Sequence, residues 1–176
     1  MEKPKYSVHL FAGGGGGILA DLLDGITPVC AVEIMPYQQE ILAARFPRLP
    51  IWDDVRTFRA DNPDCAGMFD DLRARADELV IAGGFPCQDI SCAGKGAGIC
   101  GERSGLWTEY ARIICEIRPR FVFVENSPFL ISRGLGRVLA DMAALRYDGA
   151  WGVLSASAVG ARHRRDRFWG TFRRRD

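Results

Sequence analysis

Short apolar runs alternate with amphipathic stretches along most of this chain. Residues 6–11 (Tyr-Ser-Val-His-Leu-Phe) have the length and content of a strand, and residues 18–23 those of a short helix. The same alternation then predicts a strand at 28–32, a helix at 36–46 with Pro36 at its start, and a short extended piece at 51–55. A weaker helix follows at 64–76, then a strand at 78–81. Residues 104–117 place Leu106, Trp107, Tyr110, Ile113, Ile114 and Ile117 near helical spacing, and Pro119 stops the run. Residues 120–124 form the clearest buried strand, 137–145 a further helix, and 151–159 and 166–172 two late strands. Strand and helix in steady alternation predict an α/β fold, a doubly wound and mostly parallel sheet.

The punctuation between elements carries the candidate chemistry. Five consecutive glycines, Gly13 to Gly17, join the first strand to the first helix, which is how a nucleotide-binding βαβ unit opens. Glu33 ends the second strand 20 positions after Gly13, the spacing of an acid that binds ribose hydroxyls. One register, Gly15–Gly17–Ala20, fits a dinucleotide fingerprint, so a nicotinamide enzyme remains the alternative on fold alone. Ala82-Gly83-Gly84-Phe85-Pro86-Cys87-Gln88 turns sharply out of the 78–81 strand and puts a cysteine on a loop. A lone cysteine there is more often a small buried thiol. The glycine-rich stretch beyond it, through Gly98, is long enough to close over a ligand. Glu125 and Asn126 end the 120–124 strand, so Glu33, Cys87 and Glu125 all fall at carboxyl ends of strands, where open sheets bind ligands. Asp53 and Asp54 fit either an adenine contact or a turn.

Composition narrows this modestly. With 176 residues, 48% of them hydrophobic and 26% charged, the chain has the makings of one globular domain spanning 1–176. No apolar run reaches the ~18 residues of a membrane span. The net charge of +1 is unevenly placed: residues 162–176 hold seven arginines against two acids, which fits a polyanion partner. Six scattered cysteines without a C-x-x-C pair, and only two histidines, argue against zinc and for reduced thiols in the cytoplasm.

Taken in order, these motifs resemble those of C5-cytosine DNA methyltransferases. Phe11-Ala12-Gly13-Gly14-Gly15 looks like the family's first cofactor motif, Gly84-Phe85-Pro86-Cys87-Gln88 its nucleophile motif, Glu125-Asn126 its base-holding pair, and Arg165-Asp166-Arg167 its late arginine pair. The resemblance covers nearly the whole chain, from 7 to about 172. It implies a Rossmann-like domain that methylates cytosine C5 in DNA with S-adenosyl-L-methionine, with Cys87, Glu125, Arg165 and Arg167 as catalytic residues. It also implies cofactor binding by Phe11, Gly13, Gly15, Glu33, Ile34, Asp54, Val55, Phe85 and Leu106, no metal, and a late antiparallel strand.

Three departures stand out. Ser127 replaces the usual valine, His163 replaces the usual glutamine, and the family's target-recognition segment and last motifs do not follow Arg167 here. The expectations are a catalytic subunit working with a second chain that carries target recognition, a minimal enzyme holding phosphates with Arg173, Arg174 and Arg175, or a non-enzymatic remnant.

Overall fold

A computed structural model of the chain describes residues 3–86 and 105–176. Seven strands form one sheet in the order β3-β2-β1-β4-β5-β7-β6. They are β1 (Tyr6–Leu10), β2 (Thr27–Val32), β3 (Ile51–Trp52), β4 (Leu79–Gly83), β5 (Phe121–Asn126), β6 (Tyr147–Ser155) and β7 (Asp166–Arg174). The first five pair in parallel, and β7 runs antiparallel to both β5 and β6. The helices are α1 (Gly16–Leu23), α2 (Pro36–Arg45), α3 (Ala66–Ala74), α4 (Leu106–Ile117), α5 (Leu130–Arg133) and α6 (Leu135–Ala144). The sheet is thus the mostly parallel one the alternation predicts, and none of the described helices is long and apolar enough to cross a membrane.

Side chains alternate across the strands, and this divides the core into two layers. Val8 and Leu10 of β1, with Cys30 and Val32 of β2, face the side covered by Phe69 of α3, Ile113 and Ile114 of α4, and Val138 and Met142 of α6. Ala31 faces the other side, beneath Ile18 of α1 and Leu42 of α2. His9 shares that second face; buried, it meets the Asp21 carboxylate of α1 through Nε2 at 2.7 Å. Gly17 lets α1 sit that close, since a Cβ there would stand 3.1 Å from the His9 ring. Buried Cys30 has its thiol pushed up to about 12 by desolvation, which leaves it inert as a nucleophile.

Several elements differ from the sequence pattern. Strand β6 starts at Tyr147 instead of 151 and ends at Ser155, after which Ala156–Val159 makes a single 3-10 turn. Gly149 looks like a strand breaker, yet a Cβ there would sit 2.3 Å from the Phe172 ring of β7, so packing demands the glycine. The extended piece at 51–55 stops at Trp52, because the Asp54 carbonyl accepts from the amides of Thr57 and Phe58 and starts a turn. The short helix α5 lay in a stretch with no periodic signal long enough to reveal it.

Two buried tyrosines tie this framework together. Tyr110 of α4 donates its hydroxyl to the carbonyls of Ile81 in β4 (3.2 Å) and Phe123 in β5 (3.0 Å), and Tyr147 donates to the Pro119 carbonyl. Burial raises both phenols, Tyr147 to about 12. Unfolded tyrosine ionises near pH 10. Above that pH the unfolded chain sheds protons that the folded chain keeps. The stability linked to Tyr147 is therefore whole below pH 10 and is lost as pH rises through about 12. In urea unfolding followed from pH 9 to 12, Tyr147→Phe is expected to lose stability less steeply than the wild-type chain.

Candidate active site

The parallel pairing of β2, β1, β4 and β5 brings their carboxyl ends into one row. Glu33 follows β2 directly and is 6% exposed. Its carboxylate accepts from the Gly13 amide at 2.7 Å and from the Met35 amide at 2.9 Å, while its own carbonyl accepts from the Gln39 side chain. Two backbone amides fix the carboxylate, and the Gln38 side-chain amide stands 3.1 and 3.0 Å from its two oxygens. Phe11 and Gly13 hold positive φ angles of 55° and 56°, which turn the chain sharply out of β1. Gly15, at the start of α1, has φ 86°, and a Cβ there would lie 2.5 Å from the Phe46 ring.

The turn leaving β4 is gripped from both sides. A Cβ on Gly83 would stand 2.4 Å from the Leu10 carbonyl oxygen of β1, and one on Gly84 would stand 2.4 Å from Oε2 of Glu125. Buried Asn126 donates its side-chain amide to the Phe85 carbonyl at 2.7 Å and accepts from the Ser127 amide at 2.8 Å. Phe85 itself is buried against Trp107 (5.2 Å between ring centroids) and Tyr110 (6.3 Å). The Trp107 indole in turn donates to Asp141, which also takes Arg137. Across the same edge, Glu125 pairs with Arg167 of β7 at 2.7 Å.

A cavity of about 530 Å³ opens along this row, within the size range of small-molecule sites. Phe11, Glu33, Ile34, Asp54, Val55 and Leu106 line it, and Gly84 and Pro86 close it at the β4 end. Asp54 accepts from both the backbone and the guanidinium of Arg56, and this hydrogen bonding holds its carboxyl below the usual range.

Among the residues singled out from sequence, these six and Asp53 share one cavity, and Glu125 and Arg167 form one pair beside it. Gly13 and Gly15 act from behind, one holding Glu33 and the other seating α1, while Phe85 lies in the core beneath the turn. Arg165 is exposed just before β7. Cys87 and the glycine-rich stretch after it lie outside the described residues. Arg174 and Arg175 stand at the far end of β7, roughly 23 Å from Arg167 at ~3.3 Å per residue. There they are engaged by Asp77 and Asp148. An antiparallel β7 carries Arg173, Arg174 and Arg175, the arginines considered for holding phosphates, to the opposite edge of the sheet from Arg167. Sequence reasoning also passed over Met35, Arg56 and Glu109, which line the cavity. Glu109 had a signal, since Glu109, Arg112 and Glu116 follow i, i+3, i+7 spacing on one face of α4.

Fold and site define a Rossmann-like domain with a small-molecule cavity at the strand ends and a turn clamped to an acid–arginine pair. The profile of the C-5 cytosine-specific DNA methylase family matches residues 6–174, and the chain belongs to that family. It is 34% identical over 173 residues to the Type II methyltransferase M.CviJI of Paramecium bursaria Chlorella virus IL3A, covering 97% of this chain and 43% of that protein. With the Type II methyltransferase M.HhaI of Haemophilus parahaemolyticus it shares 31% identity over 92% of this chain and 47% of that protein. Among solved structures, S. pombe Dnmt2 methyltransferase superposes with a TM-score of 0.69 at 21% identity, over 96% of this chain and 49% of that one. The chain thus spans less than half the length of these relatives.

The Asn126–Phe85 bond gives a direct test of how the turn is held. Asn126→Ala strands a buried carbonyl, at a cost of about 1–3 kcal/mol. That is a fall in Tm of roughly 3–10 °C for a domain of this size. Ser127→Ala, which removes only a 3.4 Å contact at an exposed hydroxyl, is expected to leave Tm within about 2 °C. Thermal melts of the two variants check both.

Proposed function

We propose that this chain is the catalytic domain, residues 1–176, of an enzyme that methylates C5 of cytosine in DNA with S-adenosyl-L-methionine as methyl donor. The observation that carries this reading is the continuity of the cavity, which runs from Glu33 to Gly84 and Pro86, the residue before Cys87 in sequence. The residues fit the cofactor. Glu33 offers a fixed carboxylate to ribose hydroxyls, while Phe11, Val55 and Leu106 offer apolar walls to a flat base. When bound, S-adenosyl-L-methionine supplies an electrophilic methyl group.

In this reading the Cys87 thiolate adds to C6 of the target cytosine, and the electron pair displaced from the C5–C6 bond makes C5 nucleophilic. Glu125 contacts N3 and the exocyclic amine and favours that shift of charge. Arg167 holds the Glu125 carboxylate in place, and exposed Arg165 faces the base or its phosphate. Attack of C5 on the methyl group would break its bond to the sulfonium sulfur and release S-adenosylhomocysteine; loss of the C5 proton to solvent would then let the Cys87 sulfur depart as the C5–C6 double bond re-forms. The base leaves the duplex to reach such a site. DNA is the partner, and the work is done in the cytoplasm by a chain of reduced thiols.

Transfer of a labelled methyl group to mixed-sequence DNA tests this. Cys87→Ser is expected to abolish product, and Glu125→Gln to lower the rate by about 10²–10⁴. Product that persists in Cys87→Ser overturns the assigned nucleophile. Cofactor binding without product from residues 1–176 alone supports dependence on a recognition segment outside them.

A further inference from the structure

The cavity has two facing walls that come from distant parts of the chain. One is the turn after β3, with Asp54 and Val55, and the other is the first turn of α4, with Leu106 and Glu109. No strand pairing joins these walls, since β3 ends at Trp52. What joins them is Arg112.

Arg112 lies one turn below Glu109 on α4, with its side chain 15% exposed. Its Nε donates to Glu109 at 2.7 Å and its Nη1 to Glu116 at 2.9 Å. Its Nη2 donates across the gap to two carbonyls of the opposite wall, Val55 and Phe58, both at 3.0 Å. Glu116 adds a third tie, accepting from the Ala60 amide at 3.1 Å. Phe58, fully buried, packs at 4.7 Å from Phe69, so the far end of the turn is seated in the core. The Val55 side chain is also buried in the core, and its carbonyl is tied to α4 through Nη2.

The chemistry requires arginine. A planar fork with five donors reaches two carboxylates on one side and two carbonyls on the other at fixed angles. A lysine ammonium is a point donor on a flexible stem and cannot span all four. Two carboxylates also compensate the charge that partial burial would otherwise penalise.

We infer that Arg112 is a positioning residue for the cofactor cavity: it sets the separation between Val55 and Leu106 by clamping the 53–60 turn to α4. This rests on the reading of the cavity as the S-adenosyl-L-methionine site. It goes further in assigning a role to a residue that does not line the cavity and that the sequence motifs do not include.

The test is titration of S-adenosylhomocysteine by calorimetry, with amide hydrogen exchange at residues 55–60 as a second readout. Arg112→Lys is expected to weaken binding at least tenfold and to speed exchange across 55–60. Glu116→Ala, which cuts the Ala60 tie and one guanidinium partner, is expected to weaken binding about threefold. It also serves if Arg112→Lys does not fold. Tyr147→Phe, a core change away from the cavity, is expected to bind as the wild-type chain does. The proposal is overturned if Arg112→Lys or, failing its folding, Glu116→Ala binds like wild type. It is equally overturned if Tyr147→Phe weakens binding as much, since the effect would then be general destabilisation. A wild-type chain that binds no S-adenosylhomocysteine removes the cavity reading and this proposal with it, an outcome distinct from the other two.

Discussion

The turn that leaves β4 has no room for side chains. At Gly83 a Cβ would meet the Leu10 backbone oxygen, and at Gly84 it would meet Glu125, each at 2.4 Å. Both contacts are with groups that have little freedom to retreat, one a strand backbone and the other a carboxylate held by Arg167. The chain therefore threads a slot between β1 and β5. Asn126 closes the slot by binding the Phe85 carbonyl, and Phe85 is driven into the core against Trp107 and Tyr110. The start of the candidate nucleophile loop is thus set by the sheet and the core together.

This arrangement explains why acids and arginines gather at one edge. In a parallel sheet, β2, β4 and β5 deliver Glu33, Gly84 and Glu125 to the same side, whereas the antiparallel β7 enters that side with its first residues. Arg167 meets Glu125 for that reason. The same geometry sends Arg174 and Arg175 to the other edge, where they pair with exposed acids. Exposed pairs of this kind add little stability. A basic tail that looks uniform in sequence is split into two roles by the direction of a single strand.

Most elements were legible because each has its own local cause. The β-branched run of β5, the helical spacing of Trp107, Tyr110 and Ile114 on α4, and the proline opening α2 mark them without reference to neighbours. Some departures from the pattern trace to a long-range contact. Gly149 suggests an end to a strand until Phe172 of β7 is placed against it. Phe85 belongs to a motif that points to the ligand, yet its side chain serves the core beneath. Arg112 carries no sign of importance beyond its spacing from Glu109 and Glu116, because its other partners are backbone carbonyls more than fifty positions away.

The sequence by itself determined the fold class, the glycine turns, the acids at strand ends and the family. Each of these depends on residue type at a local spacing, which the chain carries in one dimension. Only the tertiary structure decided that candidate residues from β1, β2, the 53–55 turn and α4 share one cavity, that Glu125 pairs with Arg167, and that the terminal arginines stand apart from it. Those facts depend on strand order and direction, which are set by the packing of distant segments and have no local signature.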